Sequence, residues 1–80
     1  PTLVQPATAV LQEYLDDFLD HHAQYAREAG YAPRLLAALI AARRLATLHA
    51  RSDPERARRY GQFEREYRSV PRELALQAKW

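Results

Sequence analysis

An uninterrupted apolar segment in the middle of the chain limits the possible folds more than any other feature. From Leu35 to Ala42 the sequence reads LLAALIAA and contains no polar side chain. The chain has fifteen alanines and eleven leucines but only three valines and one isoleucine, a composition that favours helix over strand. A helix that is apolar all round must be covered on more than one side. We therefore expect an all-α fold in which other helices pack around this one.

Prolines, glycine and capping residues divide the chain into four predicted helices. These helices are expected at about 6–29, 33–51 and 54–69, and from residue 70 onward. Gly30 is predicted to be a left-handed cap residue that ends the first helix. The segment Ser52-Asp53-Pro54-Glu55 combines an N-cap residue, a first-turn proline and an acid near the positive end of a helix. It is therefore predicted to end the second helix and to begin the third.

The short connections between these helices predict their arrangement. Connections of about two to four residues place neighbouring helices antiparallel. We expect a small up-down three-helix bundle with a short fourth C-terminal helix. Residues 1–5 are predicted to form a flexible N-terminal tail, and residues 6–80 a single helical-bundle domain. The side chains predicted to face the interior are Leu11, Leu15, Phe18, His22, Tyr25 and Ala29, then Tyr60, Phe63, Tyr67 and Val70, and finally Leu74, Ala75, Ala78 and Trp80.

Charge is distributed unevenly along the chain. The first 32 residues carry a net charge of −4 and the remaining 48 carry +6, although the whole chain carries only +2. We expect the acidic first helix to pack beside the basic later helices; a basic face for nucleic acid is the alternative. The absence of cysteine fits a reducing compartment, so the cytoplasm is the predicted location. The excess of arginine over lysine, eleven to one, indicates a bacterium with a GC-rich genome.

Residues suited to metal binding or catalysis do not form a complete site in the sequence. His21 and His22 point about 100° apart on a helix, whereas Asp17 and His21 share one face. Asp17 and His21 are therefore predicted to form an exposed ion pair rather than a metal site, and His22 a hydrogen-bonded residue at the core boundary. The only serines, Ser52 and Ser69, lie at expected helix caps. We expect a protein that is no enzyme and holds no metal, cofactor or small-molecule substrate.

The first predicted turn resembles a helix-turn-helix DNA-binding element. In the segment 25–36, Ala26 is the small residue four before the turn glycine, Gly30, and apolar residues flank that glycine. The residues that the resemblance would present to the bases are Ala32, Pro33, Arg34, Ala37, Ala38 and Ala41. Of these, only Arg34 has a side chain that forms hydrogen bonds with a base. An ordinary helical hairpin with a glycine cap explains the same residues and is the favoured interpretation.

Arginines in the second half of the chain form another candidate nucleic-acid surface. Its members are Arg58, Arg65, Arg68 and Arg72, to which the first turn adds Arg34. The four later arginines recur at spacings of seven, three and four, which is typical of one helical stripe. Such a stripe contacts phosphates without reading sequence. Glutamates interspersed among the arginines dilute the positive charge, so a solvated helix face is the favoured interpretation.

The alanine-rich second helix offers more apolar surface than two neighbouring helices need. The candidate protein-interface residues on it are Ala37, Ala38, Ala41, Ala42 and Leu45. Small side chains let a partner helix approach closely, although the centre of a monomeric bundle needs the same residues. We predict a non-catalytic helical interaction module, such as an adaptor, docking or inhibitor domain, with a protein partner or a homo-oligomer. The alternative is a small DNA-binding regulator, helix-turn-helix-like or with the arginine stripe, and no membrane partner is expected.

Overall fold

Every regular element that the structure describes is a helix, as predicted. The computed structural model describes residues 8–77 and places the side chains of residues 8–73. The helices are α1 (Thr8–Asp20), α2 (His22–Tyr25), α3 (Tyr31–His49), α4 (Pro54–Glu66) and α5 (Val70–Gln77). Within this range no helix combines the length and the apolar character needed to cross a bilayer. The predictions that lie outside the described residues concern the tail at 1–5, the side chains of Leu74 and Ala75, and Ala78 and Trp80.

The first helical stretch is broken at His21, so the prediction of one continuous helix at 6–29 is wrong. α1 ends at Asp20, and α2 is a single short turn that ends at Tyr25. The hydroxyl of Tyr25 donates a hydrogen bond to Oδ2 of Asp17. On a straight helix these two residues would lie about 12 Å apart along the axis. The break at His21 therefore brings Tyr25 back towards α1.

Gly30 has the left-handed backbone conformation that the sequence predicted, with φ 82° and ψ 12°. Its place differs from the prediction, because α2 ends at Tyr25 and an irregular turn separates that end from Gly30. Gly30 is instead the N-cap residue of α3, which begins at Tyr31. The hydroxyl of Tyr31 lies 2.6 Å from Nε2 of His22. The glycine thus supplies the left-handed turn from which the central helix starts.

The central helix α3 packs against both α1 and α4. Its buried side chains are Leu35, Ala38, Leu39, Ala41, Ala42 and Leu45. The prediction that this helix is covered on more than one side is therefore confirmed. The cover is incomplete, however, because Ile40 remains 64% exposed and Leu48 55% exposed. α3 thus keeps apolar side chains on its outer face after packing against both neighbours.

α4 begins as the sequence predicted. Asp53 is its N-cap residue, and Oδ1 of this side chain accepts a hydrogen bond from the backbone N–H of Arg56 at 3.3 Å. Pro54 occupies the first turn, where its missing N–H leaves no bond unmade. Tyr60 and Phe63 are buried against the other helices. The helix ends a little earlier than predicted, and a turn leads to α5.

Aromatic side chains pack around Phe18, close to the turn that precedes α3. Phe18 is almost fully buried, and its ring centroid lies 5.7 Å from that of Tyr25 and 6.4 Å from that of Tyr31. His22 packs edge-on against Phe63 at 5.9 Å. Its hydrogen bond with Tyr31 confirms the prediction of a bonded histidine at the core boundary. Each fully buried phenylalanine contributes about 1.5–3 kcal/mol, so these rings attach α2 firmly to α1 and α4.

Candidate partner-binding groove

An open groove of about 690 Å³ lies between α3 and α4, on the outer side of α3. Its lining residues are Leu36, Leu39, Ile40, Arg43, Ala46 and Thr47 from α3, followed by Gly61, Glu64, Tyr67, Arg68 and Pro71. The volume lies within the range of about 300–1,000 Å³ that is typical of ligand sites. The groove is open to solvent rather than enclosed, as are grooves that accept a helix.

Helical periodicity on α3 places one wall of the groove. The residues of this wall are Leu36, Ile40, Arg43 and Thr47. Their spacing of four, three and four residues puts them on one face of the helix. That face lies opposite the buried side chains of α3, so it points away from the core. Ile40 stands near its centre and is the most exposed large apolar side chain of the described residues, at 64%.

Gly61 lies on the wall of the groove that α4 forms. A Cβ atom at this position would find Nη1 of Arg65 as its near neighbour, at 3.3 Å. This atom is the far end of a flexible side chain, and no atom of another helix lies within 4 Å of such a Cβ. Glu64 lies one turn further along α4 and also lines the groove. Gly61 therefore adds no side chain to this wall of the groove.

The charged side chains of the groove make it positive. Arg43 is exposed on α3, and it forms no ion pair within the described part of the chain. Nη2 of Arg68 lies 3.6 Å from Oε2 of Glu64. Such exposed pairs are worth about 0.2–1 kcal/mol. One acid thus faces two arginines among the lining residues, and the groove suits a partner that carries negative charge.

A second depression, of about 250 Å³, lies where α1 meets the start of α4. Tyr60 is fully buried, and its hydroxyl donates to Oδ1 of Asp16 at 2.6 Å. Nη1 of Arg56 donates to Oδ2 of Asp16 at 2.8 Å and to the hydroxyl of Tyr60 at 2.7 Å. Nη2 of Arg59 donates to Oδ1 of Asp20 at 2.7 Å. The prediction that the acidic first helix packs beside basic ones is therefore confirmed.

The same contacts shift the pKa of two of these groups. Burial raises the pKa of Tyr60 above its ordinary value of 10.0, and the hydrogen bond to Asp16 raises it further. The hydrogen bond to Asp16 also raises the pKa of Arg56, and the bond to Tyr60 adds to this effect. The spacing of these residues gave no sign of the cluster, because Asp16 and Arg56 are forty positions apart. The cluster is a structural link between α1 and α4, in which each charge already has its partner.

The structure corrects the predicted interface on the second helix. The predicted residues that lie in the core of the monomer are Ala38, Ala41, Ala42 and Leu45, none of them more than 4% exposed. Ala37 alone is exposed. The small side chains let α1 and α4 pack closely against α3, so they serve folding within one chain. The large apolar side chains that α3 leaves exposed are instead Ile40 and Leu48, which the sequence did not single out as an interface.

The candidate nucleic-acid residues are all exposed, but they do not share one helix. They are Arg34 on α3, Arg58 and Arg65 on α4, Arg68 in the following turn, and Arg72 on α5. The turn after α4 therefore interrupts the predicted stripe. The guanidinium of Arg34 lies 4.6 Å from the centre of the Tyr25 ring, an arrangement typical of a cation–π contact. Arg34 is thus held against its own chain.

The structure differs in two respects from the helix-turn-helix element that the sequence resembles. Ala38 and Ala41, which it would place against DNA, are buried in the core. The helix before the turn is the four-residue α2, so it is too short to lie across a DNA backbone. A left-handed turn at Gly30 accounts for the same segment. The base-contacting surface implied by the resemblance is therefore not formed as predicted.

The histidines take part in local contacts. Nδ1 of His21 lies 3.2 Å from Oδ1 of Asp17, and both side chains are exposed, so the two residues are paired on one helix face as predicted. Nε2 of His49 lies 2.8 Å from Oε1 of Gln12 and joins the end of α3 to α1. Among the residues whose side chains are described, no group of three or more histidines and acids converges as a metal site would require.

No protein-family model, curated protein or solved structure matches this chain. Its function is therefore inferred from its own side chains. In the depression beside Arg56, both arginines already pair with aspartates of the same chain. The groove between α3 and α4 instead exposes an aliphatic side chain, Ile40, next to the arginine Arg43. The groove is accordingly the candidate functional site.

Proposed function

We propose that the protein is a non-catalytic helical interaction module that binds the apolar face of a partner helix in the groove between α3 and α4. The observation that carries this proposal is the 64% exposure of Ile40 in a groove that Leu36 and Leu39 also line. Full burial of an isoleucine side chain is worth about 1.5–3 kcal/mol. Covering Ile40 therefore favours association. Helix-in-groove recognition uses apolar side chains one turn apart in this way.

We further propose that α1, α3 and α4 form an up-down three-helix bundle and that α5 closes one end. The contacts between α1 and α4 support this arrangement, because Asp16 pairs with Arg56 and Asp20 pairs with Arg59, so the two helices run in the same direction as the first and third helices of such a bundle do. The bond between Asp20 and Arg59 joins the end of α1 to α4. A partner helix in the groove would lie beside α3 and α4 and extend the bundle by one helix.

The chemistry of the groove supports binding rather than catalysis. Among the described residues that line it there is no histidine or serine. Glu64 is paired with Arg68, and the hydroxyl of Thr47 donates to the carbonyl oxygen of Arg43 at 3.1 Å. The unpaired charge of Arg43 at the groove serves to orient a partner. The proposal accordingly includes a protein partner, no cofactor and, from composition, a cytoplasmic bacterial setting.

An NMR titration of the isotope-labelled chain tests this function. Two synthetic helical peptides serve as probes; they share one leucine stripe, and their flanks carry glutamates in one peptide and lysines in the other. We expect the acidic peptide to shift the amide signals of Ile40, Gly61 and Tyr67 more than the basic one, because the groove is positive. Ile40→Glu should reduce these shifts. A groove that responds to neither peptide would disprove the function.

A DNA-binding role is the second candidate function. It is favoured by the exposure of Arg58, Arg65 and Arg72, which form no ion pairs within the described residues. Arg56 and Arg59 contribute less to such a surface, because aspartates of α1 neutralise them. Titration with duplex DNA at low salt tests this role. If DNA is the ligand, Arg58→Ala with Arg65→Ala should flatten the salt dependence by about one unit per lost contact.

A further inference from the structure

We infer that the groove between α3 and α4 binds the outer face of α1 from a second copy of this chain. The inference rests on the proposed function, because it names the helix that the groove accepts. The outer face of α1 consists of Val10, Glu13, Tyr14 and Asp17, all exposed. Val10, Glu13 and Asp17 point away from the buried Leu15 and Phe18. Tyr14 lies at the edge of this face, where its hydroxyl is 3.4 Å from the carbonyl oxygen of Arg34.

The outer face of α1 has the apolar side chains that such a groove accepts. Its two apolar members, Val10 and Tyr14, are four positions apart and therefore lie one turn apart on the helix. Val10 is 57% exposed and Tyr14 is 39% exposed. Among the described residues, the other exposed large apolar side chains are Ile40 and Leu48 on α3. A second copy that places Val10 and Tyr14 against Ile40 removes two apolar patches from water in one contact.

The charges of the two surfaces are of opposite sign. α1 carries four acidic residues and no basic one. Asp16 and Asp20 already pair with arginines of α4. Glu13 forms no ion pair within the described chain, and neither does Arg43 in the groove. Binding of α1 in the groove brings Glu13 of one copy towards Arg43 of the other, so charge complementarity favours this contact.

Contact between the outer faces of two α3 helices is less favourable. Arg43 and Arg44 are both exposed there, and pairing of α3 with its copy would bring like charges together. The contact between α1 and the groove instead joins two different surfaces, so each copy offers one helix and receives another. Two reciprocal contacts of this kind close a dimer, and non-reciprocal contacts continue into longer assemblies.

Molar mass measured by light scattering over a range of protein concentrations tests this inference. We expect the mass to rise above the 9.2 kDa of the monomer as concentration increases. Ile40→Glu should weaken association by at least about tenfold, since it places a carboxylate in the apolar part of the groove. Leu48→Glu is the matched control, because Leu48 is an exposed aliphatic residue of the same helix that does not line the groove. It should leave the mass unchanged.

A charge exchange tests which surfaces meet. Glu13→Arg and Arg43→Glu should each weaken association, because each places like charges opposite one another. The double variant should associate nearly as well as the original chain. Circular dichroism should show the same helicity in all three variants, since both side chains are exposed in the monomer.

Each outcome decides for or against the second copy. A monomer at every concentration overturns the inference, as does a mass that Ile40→Glu leaves unchanged or a double variant that does not recover. If the chain stays monomeric while the acidic peptide still shifts the groove signals, only the second-copy inference fails. If the peptides also leave the groove signals unchanged, the proposed function fails with it.

Discussion

The hydroxyl of Tyr60 lies 2.6 Å from Oδ1 of Asp16, a residue forty-four positions earlier in the chain. This bond joins a fully buried side chain of α4 to the acidic side of α1. Nη1 of Arg56 donates to both partners and completes the cluster. Within the described side chains, every buried polar atom has a hydrogen-bond partner. The packing of α1 on α4 therefore depends on a small set of polar contacts as well as on apolar burial.

Tyr60→Phe should lower the free energy of unfolding by about 1–3 kcal/mol, because Asp16 and Arg56 lose a partner at a partly buried site. Chemical denaturation followed by circular dichroism measures the change. Tyr14→Phe is the matched control, since Tyr14 is exposed and its hydroxyl lies 3.4 Å from the carbonyl oxygen of Arg34. The control should change stability by less than about 0.5 kcal/mol. Equal losses in the two variants would contradict a structural role for the Tyr60 hydroxyl.

Stability should fall at alkaline pH. Burial raises the pKa of Tyr60 above 10.0, with a further increase from the Asp16 bond, and burial likewise raises the pKa of Tyr31. Because each folded-state pKa lies above the unfolded value, the stabilisation is fully present below the unfolded pKa and is lost as pH rises through the folded pKa. The free energy of unfolding should therefore decline above about pH 10. The free energy of unfolding of the Tyr60→Phe variant should decline less steeply with pH. If this variant has the same pH profile as the original chain, ionisation of Tyr60 does not cause the alkaline loss of stability.

Gly30→Val should destabilise the protein by more than about 1 kcal/mol, because a β-branched residue resists positive φ. A Cβ atom at this position would meet nothing within 4 Å, so the backbone alone accounts for the cost. Gly61→Ala is the contrast, since it replaces a helical glycine and gains up to about 1 kcal/mol. Thermal denaturation should shift in opposite directions for the two variants. A Gly30→Val variant as stable as the original would contradict the left-handed turn.

Ala38→Glu should destabilise the fold by about 3–5 kcal/mol or prevent folding, because it places an unpaired carboxylate in the core. Ala38 is 0% exposed. Ala37→Glu makes the same change at the adjacent exposed position, and this variant should keep its helicity and a cooperative thermal transition. Circular dichroism with thermal unfolding distinguishes the two. Two equally stable variants would show that α3 does not face the core as the structure places it.

Features that depend on a few neighbouring residues were predicted correctly from the sequence. The cap at Asp53 is one, since its carboxylate reaches a backbone N–H only three residues further along. The positive φ of Gly30 is another, because the clash that a Cβ atom would cause arises within the residue's own backbone. The break at His21 was missed. Tyr25 and Tyr31 pack against Phe18 beside this break, and no local pattern indicates those contacts.

The sequence by itself determined that the chain is helical, where most helices begin and how α4 is capped. It did not distinguish Ala38, in the core, from Ile40, on the outer face, because the segment from Leu35 to Ala42 is apolar on every side. The placement of α1 and α4 around α3 decided that difference. Helix formation and capping follow from interactions along a short stretch of chain, whereas burial depends on which distant helices pack against a side chain. Only the tertiary structure therefore decided which surface remains free for a partner.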